Sequence, residues 1–454
     1  MIGEKIMNKN AIKIGFVSLG CSKNLIDTEV MLARLANAGY AITPDETEAD
    51  VVIINTCAFI ESAKKESIEN ILDIAWLKEH ENLKAIVVTG CLAERYREEI
   101  FTEIPEVDAV IGVGSLEKIE DAVAAVLSDE KFSAFDDKNA CALGGERIVT
   151  TGEHMAYIKI SEGCDNKCTY CAIPGIRGKF RSRPMEDIVA EAKELEELGV
   201  KELNIIAQDT SRYGVDIYGE YSLAKLVRAI TDATSIPWIR LLYCYPDKIT
   251  ADLIAEMRDN ERVVKYIDLP IQHISNNVLR RMNRHGDGSV IRDVVKRLRQ
   301  EVPGIVIRTT VMVGFPGETE EDFNELCEYV KEAQFDRLGA FTYSREEDTP
   351  AYNFEDQIDE QTKQERYDII MREQLHIMEK KNEALIGKTV KVLCEAYDVA
   401  AETYFGRSVS DAPDIDTKIY FRPEIGKKRI APGEFVNVKI DDVIDCDLVG
   451  DIVR

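Results

Sequence analysis

No apolar run in this sequence approaches the ~18 residues that span a bilayer, and the polar stretch Met1 to Asn10 has no apolar core of the secretory-signal kind. Both absences point to a cytoplasmic protein with no membrane among its partners. Positive charge is short as well: 57 Lys and Arg stand against 83 Asp and Glu, a formal net charge of −26. A field of that sign repels nucleic acid at long range and attracts basic partners. Cysteine is not short. Eleven thiols in a reducing compartment are not a disulfide framework, and where they cluster they read as metal ligands. With 454 residues, 45% of them apolar, the chain can fill two to four ordinary cores.

The stretch Gly163-Cys164-Asp165-Asn166-Lys167-Cys168-Thr169-Tyr170-Cys171 sets three thiols in one loop. Thiolates so close can converge on one inorganic centre. A four-iron cluster held by three protein sulfurs keeps one iron open for a small molecule. Structural zinc wants four ligands; no fourth Cys or His lies near after Cys171, and His154 precedes the loop by ten residues, across a strand.

From Ala11 short apolar strands alternate with helical patterns, as in an open α/β sheet. Strands are expected at Ile12 to Leu19, Val51 to Ile54, Ala85 to Thr89 and Ala109 to Ile111, and helices within Ile26 to Ala38, Ser62 to Lys78 and Ser115 to Leu127. Gly20-Cys21, Thr56-Cys57 and Gly90-Cys91 each follow a strand directly, at intervals of 36 and 34 residues. In a parallel sheet those are the carboxyl ends, where ligands bind, so three further thiols could meet in one crevice. Cysteine is also a good core residue, but three in register favour a second cluster site.

The pattern breaks down between Ser128 and Glu153, around Asp136 to Asn139 and Gly144-Gly145. A second α/β array starts at His154. Its strands are expected at Tyr157 to Ile160, Leu203 to Ala207, Trp238 to Tyr243, Lys265 to Leu269, Ile305 to Val313 and Arg337 to Thr342. The clearest helix has Pro184 near its first turn, Ile188, Ala192 and Leu195 on one face, and Gly199 as its stop. Six βα units make a curved, partly open barrel with ligands at the strands' carboxyl ends. Asp359 to Leu385 reads as a charged amphipathic helix offering Ile369, Ile370, Leu375 and Met378 for packing. After Gly387 short alternating strands, at Thr389 to Leu393, Tyr404 to Gly406, Lys418 to Phe421 and Phe435 to Ile440, suggest a small five-stranded barrel. The expected division is 11–128, a connector at 129–153, a core at 154–385 and a terminal domain at 386–454.

The Cys loop, with an aromatic just before its last thiol, resembles the signature of the radical S-adenosylmethionine (SAM) enzymes. The whole chain, from Gly15 to Val453, is similar to the methylthiotransferases of that superfamily, whose last domain is called TRAM. Within them, Gly20-Cys21-Ser22-Lys23-Asn24, Pro270-Ile271-Gln272-His273 and Gly406-Arg407-Ser408 followed by Asp411-Ala412-Pro413-Asp414-Ile415-Asp416 look like the type that modifies an aspartate of ribosomal protein S-twelve. The resemblance implies that Cys164, Cys168 and Cys171 hold a [4Fe-4S] cluster whose open iron binds SAM, and that Cys21, Cys57 and Cys91 hold an auxiliary one. It implies reductive cleavage of SAM to a 5′-deoxyadenosyl radical, hydrogen removal from the aspartate β-carbon, and sulfur and methyl transfer to it. An electron donor and a sulfur source are implied as partners. It also places SAM contacts at Gln208, Asp209, Gly314 and Gly317, although Gly and Pro at a strand end equally make turns.

His273 and His285, in the barrel body, read as structural residues. Cys244, Cys327, Cys394 and Cys446 read as packing, and Cys141 has no assigned role. From Glu383 onward 14 acids face 10 bases, where a tRNA binder would show a basic excess. The run Lys427-Lys428-Arg429 is a small counterexample. tRNA is therefore disfavoured as a partner, and a tRNA adenosine methylthiotransferase is the alternative enzyme. A non-catalytic, ribosome-binding iron–sulfur protein is the alternative of another class.

Overall fold

The computed structural model describes residues 12–152, 154–422 and 429–453. The start Met1 to Asn10, and Lys427 and Lys428 of the basic run, lie outside the described residues. The first sheet holds β1 (Lys13–Ser18), β2 (Ala41–Thr43), β3 (Val51–Thr56), β4 (Ala85–Gly90), β5 (Ala109–Ile111) and β6 (Phe132–Ala134). The order is β2-β1-β3-β4-β5-β6 and every pairing is parallel. Every residue of β3 and β4 is buried, which is why both read as unbroken apolar runs. Alternate side chains serve opposite faces. Ile54 and Val88 meet Ile71 and Ile74 of the helix Glu61–His80, while Ile53 and Val87 meet Met31 and Leu35 of the helix Ser22–Asn37.

The edge strands β2 and β6 escaped the sequence reading, and β6 lies inside the expected connector. Three-residue strands are too short to display a period of two.

The second sheet comprises β7 (Met155–Lys159), β10 (Glu202–Ile206), β11 (Trp238–Leu241), β12 (Val263–Asp268), β13 (Val306–Val313) and β14 (Arg337–Thr342), with a hairpin of β8 (Ser161–Glu162) and β9 (Arg181–Ser182) beside it. Its order, β14-β13-β12-β11-β10-β7, follows the chain. β7 and β14 are its two edges, so the barrel is partial. The helix Met185–Glu197 buries Ile188, Ala192 and Leu195 against this sheet, and Gly199, at φ +95°, ends it.

The long helix Glu360–Glu383 corrects one expectation. Ile369 and Leu375 are 45% and 43% exposed, and the buried stripe is Lys363, Arg366, Ile370, Gln374 and Ile377. Long polar side chains with apolar stems make most of that stripe, so hydropathy alone misplaced the face.

The terminal strands β15 (Thr389–Asp398), β16 (Thr403–Arg407), β17 (Ile419–Arg422), β18 (Phe435–Ile444) and β19 (Asp447–Val453) close into a barrel. Buried ion pairs seat it on the second sheet. Glu202 of β10 accepts from Arg240 of β11 at 2.7 Å and from Arg407 of β16 at 2.6 Å.

Candidate functional site

In the first sheet the chain leaves β1 toward β2 on one side and returns to β3 on the other. That reversal opens a crevice beyond the strands' carboxyl ends. Cys21 precedes the helix Ser22–Asn37, Cys57 follows β3 directly, and Cys91 opens the short helix Cys91–Tyr96. Two glycines make room. A side chain on Gly20 would bring its Cβ to 2.8 Å from Cys57 Cβ, and one on Gly90 to 2.3 Å from Asn55 Oδ1. Both have φ near +90°, a region glycine enters freely.

The loop of Cys164, Cys168 and Cys171 follows β8. It is braced from beneath: buried Asn166 donates to Asp209 Oδ2 at 2.8 Å and accepts from Lys248 Nζ at 2.8 Å, and Lys248 reaches the same carboxylate at 2.8 Å. Gly163 permits the loop to pass the backbone of Lys179 closely, where a Cβ would stand 2.1 Å from the Lys179 carbonyl oxygen.

The two loops face each other. All six cysteines line one cavity of about 360 Å³ between the two sheets. Among the described residues no three His, Cys, Asp or Glu groups are drawn together tightly enough for a single metal ion, whereas a four-iron cube is gripped by thiolates spread around its corners. The donor set, two groups of three soft sulfurs, suits iron–sulfur clusters. Burial pushes the Cys91 thiol up to about 12 and the Cys164 thiol to about 11, and raises Cys57 and Cys171 as well. Iron binding must therefore displace protons from these sulfurs.

Of the expected SAM contacts, Gln208 lines this cavity. It donates to Glu162, and its Oε1 is buried with no partner. Asp209 is spent on the brace beneath the Cys loop. Gly314 and Gly317 do not line the cavity: a Cβ on Gly314 would meet Lys363, and one on Gly317 would meet Asp356 and Arg281. In the loop they belong to, the Gly317 amide donates to the Asp356 carbonyl at 2.9 Å, and Glu318 accepts from Phe315 N at 3.2 Å and from Arg366 at 2.8 Å.

Several lining residues were missed. Lys23, Tyr170 and Gln272 sit inside the very fragments that carried the resemblance, so a signal existed. Cys244, read as packing, also reaches the wall. Arg177, from the helix Ile173–Arg177, had no sequence signal. It joins Asp27 at 2.6 Å and Glu162 at 3.4 Å, and lies 3.6 Å from Cys91 Sγ. Lys159 joins the same two carboxylates at 2.6 and 2.7 Å. Burial alone would raise Glu162, but Lys159 and Arg177 outweigh it and hold its carboxyl low. This buried quartet fastens the helix after Cys21 to the strand end that carries the Cys loop.

Known proteins resemble the chain in both sequence and fold. Models of the uncharacterized protein family UPF0004, the radical SAM superfamily and the TRAM domain match residues 13–112, 158–330 and 386–453. A protein of Acetivibrio thermocellus named ribosomal protein uS12 methylthiotransferase RimO is 48% identical over 450 residues, 97% of this chain and 98% of that protein. Proteins of the same name from Clostridioides difficile (strain 630) and Clostridium perfringens (strain 13) are 47% and 48% identical, over 97% and 96% of this chain and 99% and 97% of theirs. Among solved structures, the radical SAM methyltransferase TsrM from Kitasatospora setae, with cobalamin and a [4Fe-4S] cluster bound, shares the fold at a TM-score of 0.56 and 14% identity, covering 75% of this chain and 76% of that one.

Proposed function

This chain belongs to the RimO family of ribosomal protein uS12 methylthiotransferases, and from that membership we propose that it replaces a β-hydrogen of a uS12 aspartate with a methylthio group. It is a radical SAM methylthiotransferase, and it uses SAM and an iron–sulfur centre. The finer reading is that Cys164, Cys168 and Cys171 hold the cluster that binds SAM, and that Cys21, Cys57 and Cys91 hold a second, sulfur-bearing one. Those clusters supply the reductive cleavage of SAM and a seat for exogenous sulfur. One observation supports the pairing above the rest: both cysteine triads open onto a single cavity, and joining sulfur to a carbon radical requires the two centres to face the same substrate atom.

The protein's own groups have separable tasks in this reading. The glycines at 20 and 90 let Cys57 and the end of β3 pack closely beside Cys21 and Cys91, the Asn166–Asp209–Lys248 brace fixes the SAM-side loop, and the free Gln208 Oε1 offers an acceptor to the amino or hydroxyl groups of SAM. The division at 11–128, 129–153, 154–385 and 386–454 is part of the proposal. So are a cytoplasmic site of action beside the ribosome and partners that supply electrons and sulfur.

The test is anaerobic iron and sulfide analysis with Mössbauer spectroscopy on the reconstituted protein. About eight irons per chain, falling to about four when Cys164, Cys168 and Cys171 are replaced by Ala, is the expected result. Four falling to none would remove the second cluster. Cys168→Ala should abolish 5′-deoxyadenosine formation, whereas Cys57→Ala should keep it and lose sulfur insertion into uS12. Equal loss of cleavage in both would overturn the division of labour.

A further inference from the structure

Apart from its thiols, the charged lining of the cavity is all basic, in an acidic protein. No Asp or Glu lines it, whereas Lys23, Arg177 and Arg284 do. Two of these cations have acceptors. Arg177 is held by Asp27 and Glu162. Arg284 donates to Tyr170 Oη at 3.1 Å and to the Pro270 carbonyl at 2.7 Å. Lys23 has none: among the described residues its Nζ meets only the ring of Tyr243, 2.8 Å from the centroid, and the residue is 6% exposed.

An ammonium that faces a cavity from a largely buried side chain is a ready seat for an anion, and an aromatic face supplies only part of the stabilisation that an anion would. Tyr243 is itself held in the left-handed region, at φ +61°. Its amide donates to Asp268 Oδ2 at 2.9 Å and its carbonyl accepts from Thr210 N at 3.0 Å, so both sides of its peptide unit are pinned. Strain of this kind persists where the surroundings impose it, and clusters at functional sites.

Position says which anion. Tyr243 also walls a neighbouring cavity of about 370 Å³, bounded by Cys21 and Ser22 on one side and by Pro413, Asp414 and Ile415 of the terminal barrel on the other. The unpaired cation thus lies against Tyr243, which together with Gly20 and Cys21 forms the wall shared by the thiol cavity and the cavity beside the terminal barrel. We propose that Lys23 is a specificity-determining residue that receives the side-chain carboxylate of the substrate aspartate, taking it in exchange for the Tyr243 ring. In aspartate the β-carbon is bonded directly to that carboxylate, so anchoring the carboxylate fixes the carbon to be modified. A neutral asparagine leaves the ammonium unpaired and is rejected for that reason.

This inference rests on the uS12 reading, and the experiment separates the two. Binding of a uS12 loop peptide carrying the target aspartate, and of its Asp→Asn counterpart, is measured by fluorescence anisotropy on the reconstituted, SAM-loaded full-length enzyme. Wild type should prefer the aspartate peptide by about tenfold or more, the equivalent of one charge-assisted contact. Lys23→Met and Lys23→Gln, each checked for iron content and SAM affinity, should bind both peptides alike. Either variant, fully loaded with iron, that keeps the wild-type preference overturns the proposal, as does a variant that loses only SAM affinity. A wild-type ratio near one overturns it without any variant. If wild type neither binds nor modifies the peptide or uS12 itself, the functional reading has failed instead, and Lys23 falls with it.

Discussion

Gly20 shows how tightly the cavity is drawn at single residues. Its missing side chain is the space into which Cys57 projects: an added Cβ would lie 3.1 Å from the Cys57 sulfur. Gly20→Ala should therefore lower stability by roughly 1–3 kcal/mol and reduce iron on reconstitution to about half, with the SAM-side share intact. Full iron in that variant would show that Cys57 can move aside at no cost. His273 makes a different prediction. Its Nδ1 accepts from Ser275 N at 3.0 Å, its Nε2 lies 4.0 Å from Glu318, and burial pushes its pKa down to about 3, with Asp322 raising and Arg366 lowering it further. The unfolded chain takes up a proton near pH 6.5 that the folded chain refuses. Stability from this residue is thus whole above pH 6.5 and is lost toward pH 3, at about 1.4 kcal/mol per unit. Glu318, pushed up to about 7 by burial against the pull of Arg366, contributes with the opposite sign, but it is present in both proteins compared. His273→Gln should flatten the stability curve between pH 6.5 and 5 relative to wild type; parallel curves would mean that the imidazole takes up its proton as readily in the fold as in the unfolded chain. The cysteines were legible because thiol spacing is itself chemistry. Arg177 and Arg284 were not, since each has one of its partners far off in the chain, Asp27 150 residues away and Tyr170 114 away.

At the level of elements, the buried strands were the easiest to read and the loops the hardest. β3, β4 and β10 are buried throughout, so apolar runs bounded by Gly, Cys or Pro marked them within a residue or two. In the loop Gly314 to Gly317 the same residues suit a ligand turn and a tight turn, and only the folded chain shows that the Phe315 amide goes to Glu318 and the Gly317 amide to the Asp356 carbonyl. The Cys loop is the element on which function turns, and its shape is set from below by Asp209. Asp209→Asn leaves Lys248, whose side chain is 6% exposed, beside an uncharged amide and weakens the hold on Asn166. The expected outcome is faster loss of about four irons under limited oxygen or chelator, with the remaining four retained. Iron release at the wild-type rate would mean that the loop keeps its shape without the brace.

Across the whole molecule, buried carboxylates join the units that the sequence could only place end to end. Asp27 ties the first sheet's leading helix to Lys159 and Arg177 of the core. Asp411 and Asp416, part of the fragment that carried the family resemblance, are spent on Arg337 at 2.6 Å and Arg308 at 3.4 Å. Asp414 accepts from Tyr157 Oη at 3.0 Å. These acids seat the terminal barrel, so its negative balance is partly internal. Glu202 is the pivot of that seat, fully buried between Arg240 and Arg407. Burial raises its carboxyl, and the two guanidinium groups more than reverse that. Glu202→Gln takes from buried Arg240 its carboxylate and leaves Arg407 with Glu395 alone, at 2.6 Å, a change that costs roughly 3–5 kcal/mol when one partner of a buried pair is lost. The barrel has its own core in Val392, Phe421, Val438 and Leu448, and should stay folded while its docking loosens. Limited proteolysis should then cut faster between the helix Glu360–Glu383 and β15. Iron content and 5′-deoxyadenosine formation should persist because all six thiols lie elsewhere, while methylthiolation of uS12 falls. If the junction stays protected and uS12 is still modified, the seat is held by the Asp411 and Asp416 contacts without Glu202.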